Sequence, residues 1–401
     1  MGKSSVIIVM GFLVIVGLAA PNINRMATRA YENFLVYHVR TQAHDIAVSG
    51  ANIGANAVFL TPTWRSTISD VAFAGGEFTV RGENYGGNQV RIVSIGTYEK
   101  RKDTVIVILG PSTYAKFAYY SVVEGGNPWV TGDTIRGPFH TQGKVNITGI
   151  PVFYGKVTTR LGTNPKKTSA KFYGGYQSSV DLPLPTDFTN LIAAANSGGQ
   201  VLANGDLWLK FDGDSVGWKT AAGDPYASVL TSAFASNGVI MAQSGNVHVE
   251  GRVSGHVTVS ALGSSGLSKG NIFIDDDIQY TTDPRYGSSN DMLGLIANNN
   301  VFITENAANN NSVIIQAAIL CRTGGFSAQN ANTRPPSGVI DLLGGIVQYE
   351  KSAVGQYTIS GGVVTVVHGF NKSYKYDDRF MFDVPPLYPA TGGYETMSWY
   401  E

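Results

Sequence analysis

Residues 6–20 read VIIVMGFLVIVGLAA, fifteen apolar or small positions in a row, and Pro21 and Asn22 end the run. At about 1.5 Å per residue a helix of that length measures roughly 22 Å, less than the roughly 30 Å of hydrocarbon in a bilayer. Taken alone, the run fits a secretory signal peptide, since Gly17-Leu18-Ala19 offers small residues for cleavage, or a short membrane-spanning helix. A third interpretation depends on the residues that follow.

Those residues continue a helical pattern as far as Pro62. Small and apolar side chains recur four positions apart in one row, which two glycines flank: Tyr31, Leu35, Val39, Ala43, Ala47, Ala51 and Ala55, with Gly50 and Gly54. Such a row lets backbones approach closely, as in tightly packed helices. We therefore expect one helix over residues 4–60, roughly 80 Å long, whose apolar end needs lipid or other copies of itself. The alternative is an amphipathic helix that lies on its own domain.

The short leader ending in Gly2, the apolar run and the sequence AHDIAVSGANIGANA at 43–57 together resemble the amino-terminal helix of type IV pilin-like proteins, in particular PilX-type minor pilins. The resemblance implies that a prepilin peptidase cuts between Gly2 and Lys3, and that the helix anchors the protein in the membrane before it forms the core of a filament. The family's glutamate early in the mature chain has no counterpart, because no carboxylate precedes Glu32. The candidate anchor and helix-packing residues are Val6, Ile7, Phe12, Leu13, Ile15, Leu35, Ala43, Ala47, Gly50, Ala51 and Gly54.

The next region alternates between apolar and polar residues like half-buried strands. The alternation covers residues 77–81, 90–95 and 104–109, and polar turns are expected at 85–88 and 100–103. This pattern predicts an antiparallel three-strand meander, which is stable only if its apolar face packs on the helix.

From about Trp129 to Phe370, short apolar triplets recur between glycine, asparagine or aspartate corners. The strands are short, the glycine corners persist for over two hundred residues, and asparagines cluster at 298–300 and 309–311. Stacked asparagines are a recurrent corner device in parallel β-helices. The expected fold class is mainly β with one long N-terminal α-helix, in which the meander is followed by a parallel β-helix (solenoid)-like domain. A β-sandwich is the alternative.

A second resemblance supports the same architecture. The sequence GPFHTQG at 137–143, the sequence YDDR at 376–379 and the sequence PPLYP at 385–389 resemble stretches of bacterial extracellular domains of unknown function that are joined to pilin-like helices. The predicted domains are the helix at 1–62, the meander at 63–125, the solenoid-like domain at 126–375, and a Tyr/Pro-rich capping or contact tail at 376–401.

Composition excludes several classes of protein. Lys+Arg and Asp+Glu number 29 each, so the chain lacks the net charge of a disordered tail and the basic excess by which nucleic-acid binders neutralise phosphates. The single cysteine, Cys321, excludes an internal disulfide and is expected to be a buried, inert thiol.

Few side chains suggest chemistry. Weak metal candidates are the acidic runs Asp212/Asp214 and Asp275/Asp276/Asp277, which would suit calcium, and no other cofactor is expected. A groove that pairs the second run with Arg285 would suit a carbohydrate-active β-helix enzyme. His140 is expected to be a corner residue bonded to backbone, and His248 an exposed side chain.

The expected function is that of a non-enzymatic structural subunit of an extracellular, pilus-like filament, held in the bacterial cytoplasmic membrane before assembly and on the cell surface afterwards. Expected partners are copies of itself or other pilin-like subunits, and membrane lipid before assembly. A surface polysaccharide is a further candidate partner, and nucleic acid is not expected. The alternatives are a surface adhesin that does not polymerise and the carbohydrate-active enzyme.

Overall fold

The computed structural model describes residues 2–86, 88–126, 128–263, 266–360 and 363–401. The helices are α1 (Lys3–Leu60), α2 (Thr189–Asn196) and α3 (Thr231–Phe234). The strands up to residue 177 are β1 (Thr67–Phe73), β2 (Gly76–Tyr85), β3 (Gln89–Tyr98), β4 (Arg101–Thr113), β5 (Tyr119–Val123), β6 (Trp129–Val130), β7 (Thr134–Ile135), β8 (Phe139–Thr141), β9 (Val145–Thr148), β10 (Val152–Phe153), β11 (Val157–Thr159), β12 (Thr163–Asn164), β13 (Lys171–Phe172) and β14 (Tyr176–Gln177).

The strands from residue 200 onward are β15 (Gln200–Leu202), β16 (Leu207–Gly213), β17 (Ser215–Lys219), β18 (Ala227–Leu230), β19 (Val239–Ala242), β20 (Val247–Val253), β21 (His256–Ala261), β22 (Ile272–Tyr280), β23 (Met292–Ala297), β24 (Val301–Ile303), β25 (Val313–Cys321), β26 (Phe326–Ala328), β27 (Pro336–Glu350), β28 (Gly355–Ser360), β29 (Val363–Lys375) and β30 (Ala390–Tyr400). The chain is therefore mainly β with one long N-terminal helix, as the sequence predicts.

The chain forms two compact units. The first comprises the chain up to Pro111 together with Gly392–Glu401, and the second comprises Ser112–Thr391. The expected boundaries at 125 and 376 divide the chain differently. Strand β5 belongs to the second unit because it pairs with β8 and β27, whereas most of β30 joins the sheet of the first.

The first unit is a five-stranded sheet, in the order β1-β2-β3-β4-β30, with α1 packed on β2 and β3. The pairs β1–β2, β2–β3 and β3–β4 are antiparallel, which confirms the predicted meander and extends it by one strand at each edge. The turn between β3 and β4 lies at Glu99-Lys100 rather than at 100–103, because both residues take the positive φ that a two-residue hairpin turn requires. The core of the first unit consists of Ile46, Ala47, Ala51, Ala55, Val58, Phe78, Val80, Val90, Ile92, Val105, Val107 and Leu109.

The second unit is dominated by parallel pairing between short strands. One ladder, called here the long ladder, has the order β15-β19-β21-β23-β25-β27-β5-β8-β11-β14, and every neighbouring pair in it is parallel. The strands of residues 200–350 appear in it first, and those of residues 119–177 continue it beyond β27. The junction pairs Ile346 with Tyr119.

Because β14 and β15 lie at opposite ends of the long ladder, residues 178–199 connect one end to the other. Hydrogen bonds hold this connecting segment on the second unit. Tyr120 Oη donates to the Leu182 carbonyl at 2.6 Å, and Asn237 Nδ2 donates to the Ala194 carbonyl at 2.7 Å. The segment also contributes Phe188 and Leu191 to a buried cluster with Tyr120.

A second parallel ladder has the order β16-β20-β22-β24-β26, and the first halves of β25 and β27 form a third with β29. Antiparallel pairs in this unit occur at β16–β17–β18 and β28–β29. Apolar side chains of all three ladders meet in one buried cluster that includes Val249, Ile274, Ile319 and Ile346.

Asparagine amides stack at one corner of the second unit. Asn271 Nδ2 donates to Asn246 Oδ1, and Asn300 Nδ2 donates to Asn271 Oδ1, both at 3.2 Å. The predicted asparagine stack is thus present at Asn300 and extends back to Asn246. The 309–311 cluster does not join it. Asn309 bonds backbone carbonyls, and Asn310 Oδ1 accepts from the buried Arg334.

Candidate functional site

The candidate site is the first part of α1, which no described residue covers. Six of the predicted anchor residues, Val6, Ile7, Phe12, Leu13, Ile15 and Leu35, are each 40–70% exposed. The helix is long and apolar enough to cross a membrane, and its most apolar window is entirely unburied. We call residues 4–37 the uncovered segment.

Sequence reasoning missed several members of the uncovered segment. Large apolar side chains beyond the first apolar run are also 53–72% exposed: Ile23, Met26, Phe34, Val36 and Tyr37. The signal was weak because the charged residues Arg25, Arg29 and Glu32 interrupt them. A helix has side chains on all sides, so apolar residues between charges still form a surface.

The second part of α1 is covered by the sheet of its own unit. Ala43, Ala47 and Ala51 are fully buried, and a Cβ added to Gly50 would lie 2.4 Å from Ser94 Oγ. The expectation that Ala43, Ala47, Gly50, Ala51 and Gly54 pack between subunits is therefore wrong. The small residues do allow close approach, but the approaching backbone is that of β3. A Cβ on Gly96 would lie 2.2 Å from the Ala43 carbonyl oxygen.

The leader residues lie at the exposed start of α1. Gly2 is exposed and extended, with φ −72° and ψ 147°, and it precedes the first helical residue. The side chain of Lys3 lies outside the described residues. Cleavage between the two residues stays a prediction.

The second acidic run is engaged in hydrogen bonds within the protein. Asp275 accepts from Thr304 Oγ1 at 2.6 Å and pairs with His248 Nδ1 at 2.8 Å. Asp277 accepts from the Ile314 amide at 2.7 Å, and burial, with the charge of Asp276 adding, raises the pKa of its carboxyl.

The first acidic run lies at the surface. Asp212 and Asp214 are exposed, close to the β16–β17 turn. Among the described residues, no group of three or more His, Cys, Asp or Glu is arranged to hold a metal ion. Arg285 does not face the 275–277 run, because it is paired with Asp283 and Asp341. The groove imagined for an enzyme is therefore not assembled from these residues.

Two histidines differ from expectation. His140 is fully buried, and its ring bonds the Thr158 hydroxyl at 2.8 Å rather than backbone. His248 is half-buried between the rings of Trp208 and Phe273, at centroid distances of 4.7 and 4.8 Å. Both lie on parallel strands, and their rings pack on aromatic rings of the neighbouring strands.

The burial of His140 makes the stability of the second unit depend on pH. Burial lowers its pKa to about 4, so the folded state favours the neutral ring. Stability is fully present above the unfolded pKa of about 6.5, declines as pH falls below it and levels off near 4, a loss of about 3 kcal/mol. We expect the melting temperature to fall over this range, and to fall less in His140→Phe. Circular dichroism of both proteins between pH 4 and 7 measures this, and parallel curves would contradict it.

The chain was compared with family models, curated proteins and solved structures. No family model and no curated protein matches the chain. Among solved structures, the chain is similar to the competence-associated pilin ComZ from Thermus thermophilus, with 14% identity and a TM-score of 0.34 over 90% of this chain and 97% of that one. A TM-score of that size does not establish a common fold.

Proposed function

We propose that this chain is a structural subunit of a pilus-like surface filament, anchored in the bacterial cytoplasmic membrane by the uncovered segment before assembly. The observation that carries the proposal is the contrast within α1. Its second part is buried on its own sheet, while residues 4–37 present large apolar side chains to solvent. Transferring the six exposed anchor side chains out of water is worth on the order of 10 kcal/mol, so the segment needs an apolar partner.

Length favours a filament over a lone membrane anchor. At about 1.5 Å per residue the uncovered segment is about 51 Å long, whereas a bilayer offers about 30 Å of hydrocarbon. Lipid therefore covers about twenty residues and leaves the exposed Met26, Phe34 and Tyr37 near or beyond its edge. In the proposal, helices of neighbouring subunits cover these side chains. A surface adhesin that never polymerises would leave them in water.

As the finer part of this proposal, we infer that the second unit is a β-solenoid displayed on the filament and that the subunit is of the PilX type. Support for the solenoid comes from the three parallel ladders, the shared interior and the stacked asparagines. In a β-sandwich, consecutive strands pair mostly in antiparallel fashion. The proposal assigns the chain no catalytic activity. Degradation of a polysaccharide by the wild type, lost in Asp276→Asn, would support an enzyme instead.

Two substitutions separate anchoring from assembly. Ile15→Arg places a charge near the middle of the membrane, costs about 3 kcal/mol and should release the protein from carbonate-washed membranes by roughly 100-fold. Phe34→Arg lies outside that depth, so we expect normal membrane retention but no filaments in the sheared surface fraction. Both side chains are exposed, so neither change disturbs the folded units.

Asn52→Arg, at an exposed polar position on the covered part of α1, is the control and should retain both properties. Electron microscopy of the sheared fraction and mass spectrometry of the native amino terminus complete the test. A start at Lys3 supports prepilin-type processing. A start at Ala20 or beyond would remove most of the apolar run at 6–20, which is the membrane anchor, and refute the proposal, as would normal filaments from Phe34→Arg.

A further inference from the structure

Charge is distributed very unevenly along this neutral chain. Between Asp133 and Asp181 the sequence contains seven basic residues and no acidic residue. The basic residues are Arg136, Lys144, Lys156, Arg160, Lys166, Lys167 and Lys171. Whole-chain neutrality conceals a local potential of this kind, which attracts anions to the surface that carries it.

Three strands of this stretch form a parallel sheet in the order β13-β10-β7. Its register aligns Ile135, Phe153 and Phe172 in a row that packs inward. Because side chains alternate along a strand, the next residues, Arg136, Tyr154 and Tyr173, form a second row on the outer side, and all three are exposed.

The outer row is a continuous stack. The Arg136 guanidinium lies 4.8 Å from the centre of the Tyr154 ring, and the Tyr154 and Tyr173 rings are stacked with centroids 5.3 Å apart. Strand β13 is the last strand of its sheet, and Tyr173 is 68% exposed. One face of the Tyr173 ring is therefore open to solvent.

Cations border this open ring. Lys171 lies two residues before Tyr173 on the same side of β13, and Lys166 and Lys167 lie in the loop just before that strand. All three lysines are exposed. Arg160 is partly neutralised by Asp181, whose carboxylate is 3.7 Å away. We call Arg136, Tyr154, Lys166, Lys167, Lys171 and Tyr173 the basic face.

We propose that the basic face binds an acidic polysaccharide that carries carboxylate or sulfate groups. A pyranose ring packs its apolar C–H face on a flat aromatic ring, which Tyr173 offers, while neighbouring anionic groups meet the three lysines. The exposed Asn164 and Ser169 supply amide and hydroxyl groups for sugar hydroxyls.

A nucleic acid fits this face less well. Single-stranded nucleic acid is held by stacking successive bases on separate aromatic rings. Here the two tyrosines stack on each other and Arg136 covers Tyr154, so the basic face offers one ring face and not a series. The proposal concerns the second unit and does not depend on filament assembly.

The test measures binding of full-length protein in detergent to heparin, alginate, neutral dextran and a single-stranded oligonucleotide. We expect heparin and alginate to bind, with affinity falling as salt rises, and dextran not to bind. Tyr173→Ala should weaken binding at least 10-fold. The triple change Lys166→Gln, Lys167→Gln, Lys171→Gln should weaken it further and reduce the dependence of affinity on salt by about three cations.

Matched controls lie outside the basic face. Tyr286→Ala removes another exposed tyrosine that lies beside an arginine, and Lys102→Gln removes an exposed lysine of the first unit. Both should bind within about 2-fold of wild type. Dextran binding as tight as alginate, oligonucleotide binding tighter than both polysaccharides, or equal losses in the control variants would each overturn the proposal.

Discussion

Gly96→Val should unfold the junction between α1 and its sheet while leaving the second unit intact. The Cβ of any residue at position 96 would lie 2.2 Å from the Ala43 carbonyl oxygen and 2.4 Å from the Ala47 nitrogen, both of them backbone atoms that cannot rotate away. Overpacking of this kind costs about 3 kcal/mol or more. Hydrogen–deuterium exchange of full-length protein should show a loss of protection of roughly 100-fold or more across residues 43–58.

The control is Gly86→Val, at a turn in the same unit. A Cβ at position 86 would meet no atom within 4 Å, and its φ lies outside the left-handed range. We expect exchange rates within a few-fold of wild type. If Gly96→Val protected residues 43–58 as well as the wild type does, the helix would not lie directly on β3.

Gly345→Val should release strands β5, β8, β11 and β14 from the rest of the second unit. A Cβ at position 345 would lie 2.1 Å from the Phe117 carbonyl oxygen, immediately before β27 pairs with β5. Since β5 connects β8, β11 and β14 to the rest of the long ladder, we expect these strands to lose protection together. Strands β19, β21 and β23 should remain protected, because their pairing does not pass through β5.

Gly223→Val is the matched control, since a Cβ at that exposed position would meet no atom within 4 Å. It should leave exchange in both groups of strands unchanged. If all strands of the long ladder lost exchange protection equally in Gly345→Val, the unit would unfold as one cooperative block. Strands β5, β8, β11 and β14 would then not be separable from the others.

The sequence predicted elements whose signal is local. Fifteen uninterrupted apolar or small residues and the absence of a proline between 22 and 61 predict the long helix, and alternation over residues 77–109 predicts the meander. Corner asparagines also carry a local signal, which is why the stack at Asn300 could be anticipated. The predicted strand bounds shifted by a few residues where turn geometry, as at Glu99 and Lys100, decided them.

The sequence does not predict which segment packs against a given helix or pairs with a given strand. Small residues four apart indicate that a backbone comes close to Ala47. The same spacing would suit a second helix or a strand, and in the structure the neighbour is β3. The pairing of Tyr119 with Ile346 joins positions far apart in the chain and has no periodic signal. The charge imbalance of 134–180 was readable, but only by counting within a window rather than over the whole chain.

The order of strands in the long ladder has a consequence for folding during synthesis. Strand β5 is synthesised early, but the strand on which it docks, the second half of β27, follows more than two hundred residues later. At about 5–20 residues per second of synthesis, β5 waits roughly 11–45 s with an unpaired edge. During that interval the unpaired edge is a template for wrong pairing with a second copy of the chain, so a factor that covers this edge would raise the yield of correctly folded protein.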